Sequence, residues 1–197
     1  MLLKTYFDAI ELHRNDKFVA LRFRTPHRVI STCLENGGIA DDLDLVYNHQ
    51  SCEPAGSLSL LPSKAVLDRP DLYAAVLLEH NGFKGMRAAQ LSTAANMSNL
   101  AVVLKEYRDI AVLAVATGGV GGNAARVGDP ASGYEFDGRY EPITRKQPPA
   151  QGTINVMIAL NQPMIGGALV RAVMTATEAK TVALQELSVP SRYSPNL

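Results

Sequence analysis

Three groups of residues in this 197-residue chain have the types and spacing that chemistry requires. The first is the loop Thr117-Gly118-Gly119-Val120-Gly121-Gly122-Asn123-Ala124, which follows the apolar run Ile110–Ala116 and contains G-x-G-x-x-A. In a dinucleotide fold a helix opens at that point so that its N–H groups cradle pyrophosphate. Here Gly128, Asp129 and Pro130 interrupt such a helix within about a turn. The acidic position some way beyond offers Glu141 before Pro142, with no strand expected to present it. The context that the dinucleotide reading requires is missing. What remains is a ligand-wrapping loop, with Asn123 and Arg126 as its polar side chains, or a plain connection.

The second group surrounds His49 in N-H-Q-S-C, with Cys52 three residues on and Glu53 beside it. A Cys-His pair or a partial metal site can be drawn from these. Residues three apart on an extended chain point to opposite faces, however, and no second ligand pair completes a site. A hydrogen-bonding histidine beside a pocket is expected, and no metal. His13, His27 and His80 have no adjacent partner and read as surface or packing residues. The third group is on a C-terminal helix. At 100° per residue, Arg171, Thr175, Glu178, Val182 and Gln185 fall within about 80° of arc. Lys180 lies about 200° round from Glu178 among Leu169, Val173, Leu184 and Leu187, so the two charges point to opposite sides.

The elements that must position these groups are legible in part. Lys17–Phe23, Arg28–Leu34 and Leu43–Asn48 read as strands, as does Met86–Thr93. Asp71 reads as the cap of a helix over Leu72–Leu78 that Asn81-Gly82 ends. Asn99–Tyr107 is ambiguous, and Ile110–Ala116 reads as a fully buried strand. Residues 117–150 concentrate glycine and proline and read as one long irregular segment of functional use. Thr153–Leu160 is a strand, and a helix over about Ala168–Leu187 stops before Pro190. The expected fold is α/β or α+β: one domain over residues 1–197, with a mixed β-sheet packed against helices and a long C-terminal helix.

Composition narrows the function. Nineteen basic against nineteen acidic residues leave no excess to neutralise phosphates, so no nucleic-acid partner is expected. The seven-residue run Ile110–Ala116 is far short of the roughly 18 apolar residues of a membrane span. The N-terminus lacks the apolar stretch of a signal peptide, and Cys33 and Cys52 form no C-x-x-C. A cytoplasmic protein without membrane insertion is expected, with homo-oligomerisation left open.

The segments A-T-G-G-V-G-G-N-A-A-R-V-G-D-P-A (116–131), G-T-I-N-V-M-I-A-L-N (152–161) and G-A-L-V-R-A-V-M-T-A-T-E-A-K-T-V-A-L-Q-E-L (167–187) occur in that order, followed by V-P-S-R-Y-S (189–194). Together they resemble the adenosylcobinamide amidohydrolase family of archaeal-type cobinamide salvage. Gly37-Gly38, Asn48-His49 and L-S-T-A-A (91–95) extend the resemblance toward the N-terminus. It implies hydrolysis of the amide joining aminopropanol to the corrin ring of adenosylcobinamide, giving adenosylcobyric acid. The corrinoid is then the substrate and no cofactor is implied; D-x-H-x-x-G, the cobalt-ligating sequence of other corrinoid proteins, is absent. Asn96 stands where many members carry aspartate. The chain stops at Leu197, where members continue into a Gly- and Thr-rich A-T-G-x-G-T-D-G tail.

Amide hydrolysis needs an activated water or nucleophile, an acid for the departing amine, and donors for the oxyanion. In that light the candidate catalytic residues are Glu178 as base, His49 as acid or base, and Asn155, or else Asn123, as a donor. Thr153 is also a conceivable nucleophile, though no sequence neighbour activates it. Gly118, Gly119, Asn123, Arg126, Asn48, Thr153 and Lys180 are the candidate substrate-binding residues. The alternative, favoured by Asn96 and the absent tail, is a corrinoid-binding or regulatory protein that keeps the fold without turnover.

Overall fold

The computed structural model describes residues 1–33, 35–51, 69–120, 128–131, 133–137, 139–143, 153–191 and 193. They form a mixed α+β structure of two main sheets. The larger has the order β1 (Leu2–Tyr6), β2 (Ile10–Asn15), β3 (Phe18–Phe23), β6 (Leu45–Gln50), β7 (Ala88–Thr93). Its strands are antiparallel except β6 and β7, which run parallel with Leu45 opposite Ala88 and Gln50 opposite Thr93. The smaller sheet has the antiparallel order β12 (Ile154–Leu160), β9 (Ile110–Gly118), β8 (Ala101–Tyr107). Two hairpins stand apart, β4 (Val29–Ser31) with β5 (Gly38–Ala40) and β10 (Gly133–Phe136) with β11 (Arg139–Pro142).

Alternation along the strands builds a layered core. Phe18 and Ala20 of β3 and Leu45 and Tyr47 of β6 face helix α1 (Pro70–His80), packing with Tyr73, Leu77 and Leu78. Val19 and Leu21 point the other way and meet Leu113, Val115 and Met157 of the smaller sheet, with Ile10, Leu12 and Met97. A strand of period two buried on both faces thus joins a helical layer to a second sheet.

Several sequence expectations need correction. Asp71 is not the cap of α1: Arg69 occupies that position without a side-chain bond, and Pro70 opens the helix. Proline suits the first helical position because the N–H it lacks has no intrahelical partner there. Ile110–Ala116 is buried on one face only, because β9 covers the core with Ala111, Leu113 and Val115 alone. Of Arg28–Leu34, the described residues 28–33 contribute just the three residues of β4. The ambiguous Asn99–Tyr107 is edge strand β8, exposed at all seven positions. Residues 117–150 are not wholly irregular, since the β10–β11 hairpin lies within them. The C-terminal helix α2 (Gly166–Glu186) buries no residue, so Lys180 does not sit in an apolar interior.

Candidate functional site

β6 ends on three buried polar residues, Asn48, His49 and Gln50, which its parallel partner β7 matches with Ser92 and Thr93. Ligands in α/β sheets bind beyond the carboxyl ends of parallel strands, where backbone groups and loop side chains converge. The end of β9 and the start of β12 reach the same place. Register sets Asn155 directly opposite Thr117, and antiparallel partners point to one face.

A connected tract of amide and hydroxyl groups results. Asn155 Nδ2 donates to Ser92 O (2.9 Å) and to Asn48 Oδ1 (2.8 Å), and Asn48 Nδ2 donates to Thr117 Oγ1 (2.8 Å). Beside it, Thr93 Oγ1 accepts from Ala95 N (2.9 Å) and Gln50 Oε1 from Met97 N (2.8 Å), pinning the 93–97 turn against the strand ends. Gly119 N donates to Thr153 O (3.0 Å). A Cβ at Gly119 would lie 3.2 Å from Ala95 Cβ and 3.3 Å from its Cα, so any side chain there would press on the 93–97 turn by a few tenths of an ångström. Asn96 Oδ1 caps the turn Met97–Asn99 by accepting from Ser98 N (2.8 Å). Aspartate caps equally well, which is why asparagine is compatible with this position.

The orientation of each amide follows from one backbone group. Ser92 O can only accept, so Asn155 must turn its Nδ2 toward it. Both Nδ2 hydrogens are then committed, one to Ser92 and one to Asn48. Asn48 in turn has to offer Oδ1 to Asn155 and Nδ2 to Thr117. Asn155 therefore has no N–H left for an oxyanion, and its free function is that of an acceptor.

His49 is not part of this tract. Neighbouring residues on a strand face opposite ways, and His49 lies under α1 with Nδ1 2.9 Å from the Tyr73 hydroxyl. Burial holds its imidazole neutral and lowers its pKa to about 4, with Coulombic repulsion from Lys17 and His80 adding to the shift. Such a ring makes a poor general acid near neutrality. Glu178 and Lys180 are exposed on α2, and their side chains make no ion pair or hydrogen bond to any described residue.

Among the sequence candidates, then, the structure gathers Asn48, Asn155, Thr153, Gly118 and Gly119 at one end of the sheets. It sets His49 on the opposite face and shows no contact between the tract and Glu178 or Lys180. Asn123 and Arg126 lie outside the described residues, as do Cys52 and Glu53. Thr117, Thr93, Gln50 and Ser92 were not anticipated. Asn48 and Gln50 did carry a signal: two amides at i and i+2, on one face of an apolar strand. Among the described residues, no three His, Cys, Asp or Glu side chains converge as a metal site would require.

The four strand ends that converge carry the segments N-H, L-S-T-A-A, A-T-G-G and G-T-I-N. The sequence profile of the CbiZ adenosylcobinamide amidohydrolase family matches residues 3–197, nearly the whole chain. The chain belongs to this family. It is also 40% identical over 129 residues to an uncharacterized protein of Methanocaldococcus jannaschii, an alignment covering 64% of this chain and 51% of that protein. The chain thus spans about half the length of the curated relative it matches. No solved structure matches. The family name denotes an amidohydrolase. Among the described residues, no helix is long and apolar enough to cross a membrane.

Proposed function

We propose that this amidohydrolase-family chain cleaves the amide between the aminopropanol arm and the corrin acid of adenosylcobinamide, releasing adenosylcobyric acid in cytoplasmic corrinoid salvage. The observation that carries the reading is the convergence of four family segments on one hydrogen-bonded tract of amides and hydroxyls. Such a tract suits a corrinoid, whose rim is itself lined with amides.

The tract binds and orients. None of its described side chains titrates near neutrality, so the proton acceptor for the attacking water must come from elsewhere. Glu178 is the carboxylate that T-A-T-E-A-K offers for that role, and Thr153 immediately precedes β12 with its carbonyl bonded to Gly119 N. The same lack of a titratable member favours the second reading, a corrinoid-binding protein without turnover.

Incubation with adenosylcobinamide, followed by chromatography of the corrinoids and assay of free aminopropanol, separates the two. New cobyric acid with equimolar aminopropanol supports hydrolysis. A corrinoid that is retained but unchanged supports the binder, and a corrinoid neither bound nor cleaved refutes both.

A further inference from the structure

We infer that Asn155 Oδ1 accepts a hydrogen bond from the N–H of the substrate's scissile amide, so that the site selects amide over carboxylate at that position. This rests on the proposed hydrolysis of a corrinoid amide and adds the group that recognises the reacting bond.

Both hydrogens of Asn155 Nδ2 are taken, by Ser92 O and Asn48 Oδ1. The side chain cannot flip, because a flip would set its oxygen against the Ser92 carbonyl, which has no hydrogen to give. Turning the Asn48 amide over does not relieve this either, because it leaves the Ser92 carbonyl facing the flipped oxygen. Asn155 Oδ1 is left without a donor among the described residues. It is nevertheless open to solvent, on a side chain that is otherwise buried. A ligand that covers this fixed acceptor must bring a donor of its own, since shutting it away from water unpaired costs more than the bond itself returns.

The substrate and its product differ in the property this atom reads. The scissile amide carries an N–H, whereas the cobyric acid product carries, above its pKa, a carboxylate that only accepts. Two acceptors facing each other in a buried site repel, so Asn155 holds the amide in register and disfavours the finished acid. Sites built around one hydrogen bond discriminate strongly against the analogue that cannot make it.

The test compares affinities at pH 8 for adenosylcobinamide, adenosylcobyric acid and an N-methylated adenosylcobinamide whose amide has no hydrogen. The wild type is expected to bind adenosylcobinamide about tenfold or more tightly than either of the others. In Asn155→Ala, shown to be folded by a cooperative melt, both preferences should shrink to about threefold or less. A folded Asn155→Ala that keeps the wild-type ratios overturns the inference. So does a wild type that binds the N-methyl compound as tightly as the parent, a result that needs no variant to fold. The two proposals fail separately. If the wild type shows these preferences but releases no aminopropanol, hydrolysis is wrong and the acceptor assignment stands. If it hydrolyses adenosylcobinamide with no preference for the N–H, the reverse holds.

Discussion

Asn48 and His49 are consecutive in the chain and belong to opposite layers of the molecule. Asn48 joins Asn155 and Thr117 between the two sheets, while His49 meets Tyr73 beneath α1. One peptide bond separates a residue of the candidate site from a residue of the helical core.

That division makes His49 a determinant of acid stability. Its pKa falls from about 6.5 in the unfolded chain to about 4 in the folded one, so the unfolded state binds its proton first on acidification. Stability is full above pH 6.5, erodes as pH falls toward 4, and loses up to about 3 kcal/mol from this group. Urea unfolding of the wild type at pH 7 and pH 4.5 should show that loss, and His49→Gln should show less of it. An identical pH profile in the variant would mean that other groups drive acid unfolding.

The two adjacent glycines of the loop should behave differently. Gly119→Ala drives its Cβ to 3.2–3.3 Å from Ala95, where the 93–97 turn is held by Thr93 and Gln50, so a destabilisation of about 1–3 kcal/mol is expected. Gly118→Ala meets no atom within 4 Å and should leave stability within about 0.5 kcal/mol of wild type. Thermal melts of the pair decide it, and equal melting temperatures would show that the turn yields freely.

Asn96 gives a test of its capping role. Asn96→Asp keeps an oxygen for Ser98 N and should change stability by less than about 0.5 kcal/mol, whereas Asn96→Ala should cost about 1 kcal/mol. Chemical denaturation of both variants checks this. If aspartate instead raises turnover with no change in stability, the position acts on the substrate and not on the turn.

What the sequence made legible follows physical lines. Thr153–Leu160 and the wholly apolar run Ile110–Ala116 were recognisable as strands from their short length and apolar composition, but a run with no alternation could not show that β9 buries one face only. Edge strand β8, A-V-V-L-K-E-Y, has no alternation to read because it is exposed throughout. The β10–β11 hairpin lies among glycines and prolines that mask its short strands. The site was half legible. Asn48 and Asn155 stood in recognisable segments, but Thr117 is tied to Asn48 across 69 residues of sequence, and only strand register reveals the bond. The acceptor role of Asn155 was illegible for a related reason. It depends on the carbonyl of Ser92, a backbone group that no residue type announces.

The exposed helix α2 permits a clean separation of charge from stability. Glu178 and Lys180 both lie at its surface, so neither carries a desolvation penalty whose removal would stabilise the fold. Lys180→Met and Glu178→Gln should each leave stability within about 0.5 kcal/mol of wild type. Turnover should distinguish them. If Glu178 takes the proton of the attacking water, Glu178→Gln keeps the shape, loses the base and lowers kcat by about 10²–10⁴-fold, with KM changed far less. Lys180→Met, about 200° round the helix, should spare kcat. Steady-state kinetics of the two variants on adenosylcobinamide settles the assignment. An unchanged kcat in Glu178→Gln would remove α2 from the chemistry and require a base from another segment. A dead Lys180→Met beside an active Glu178→Gln would move the functional face to the opposite side of the helix.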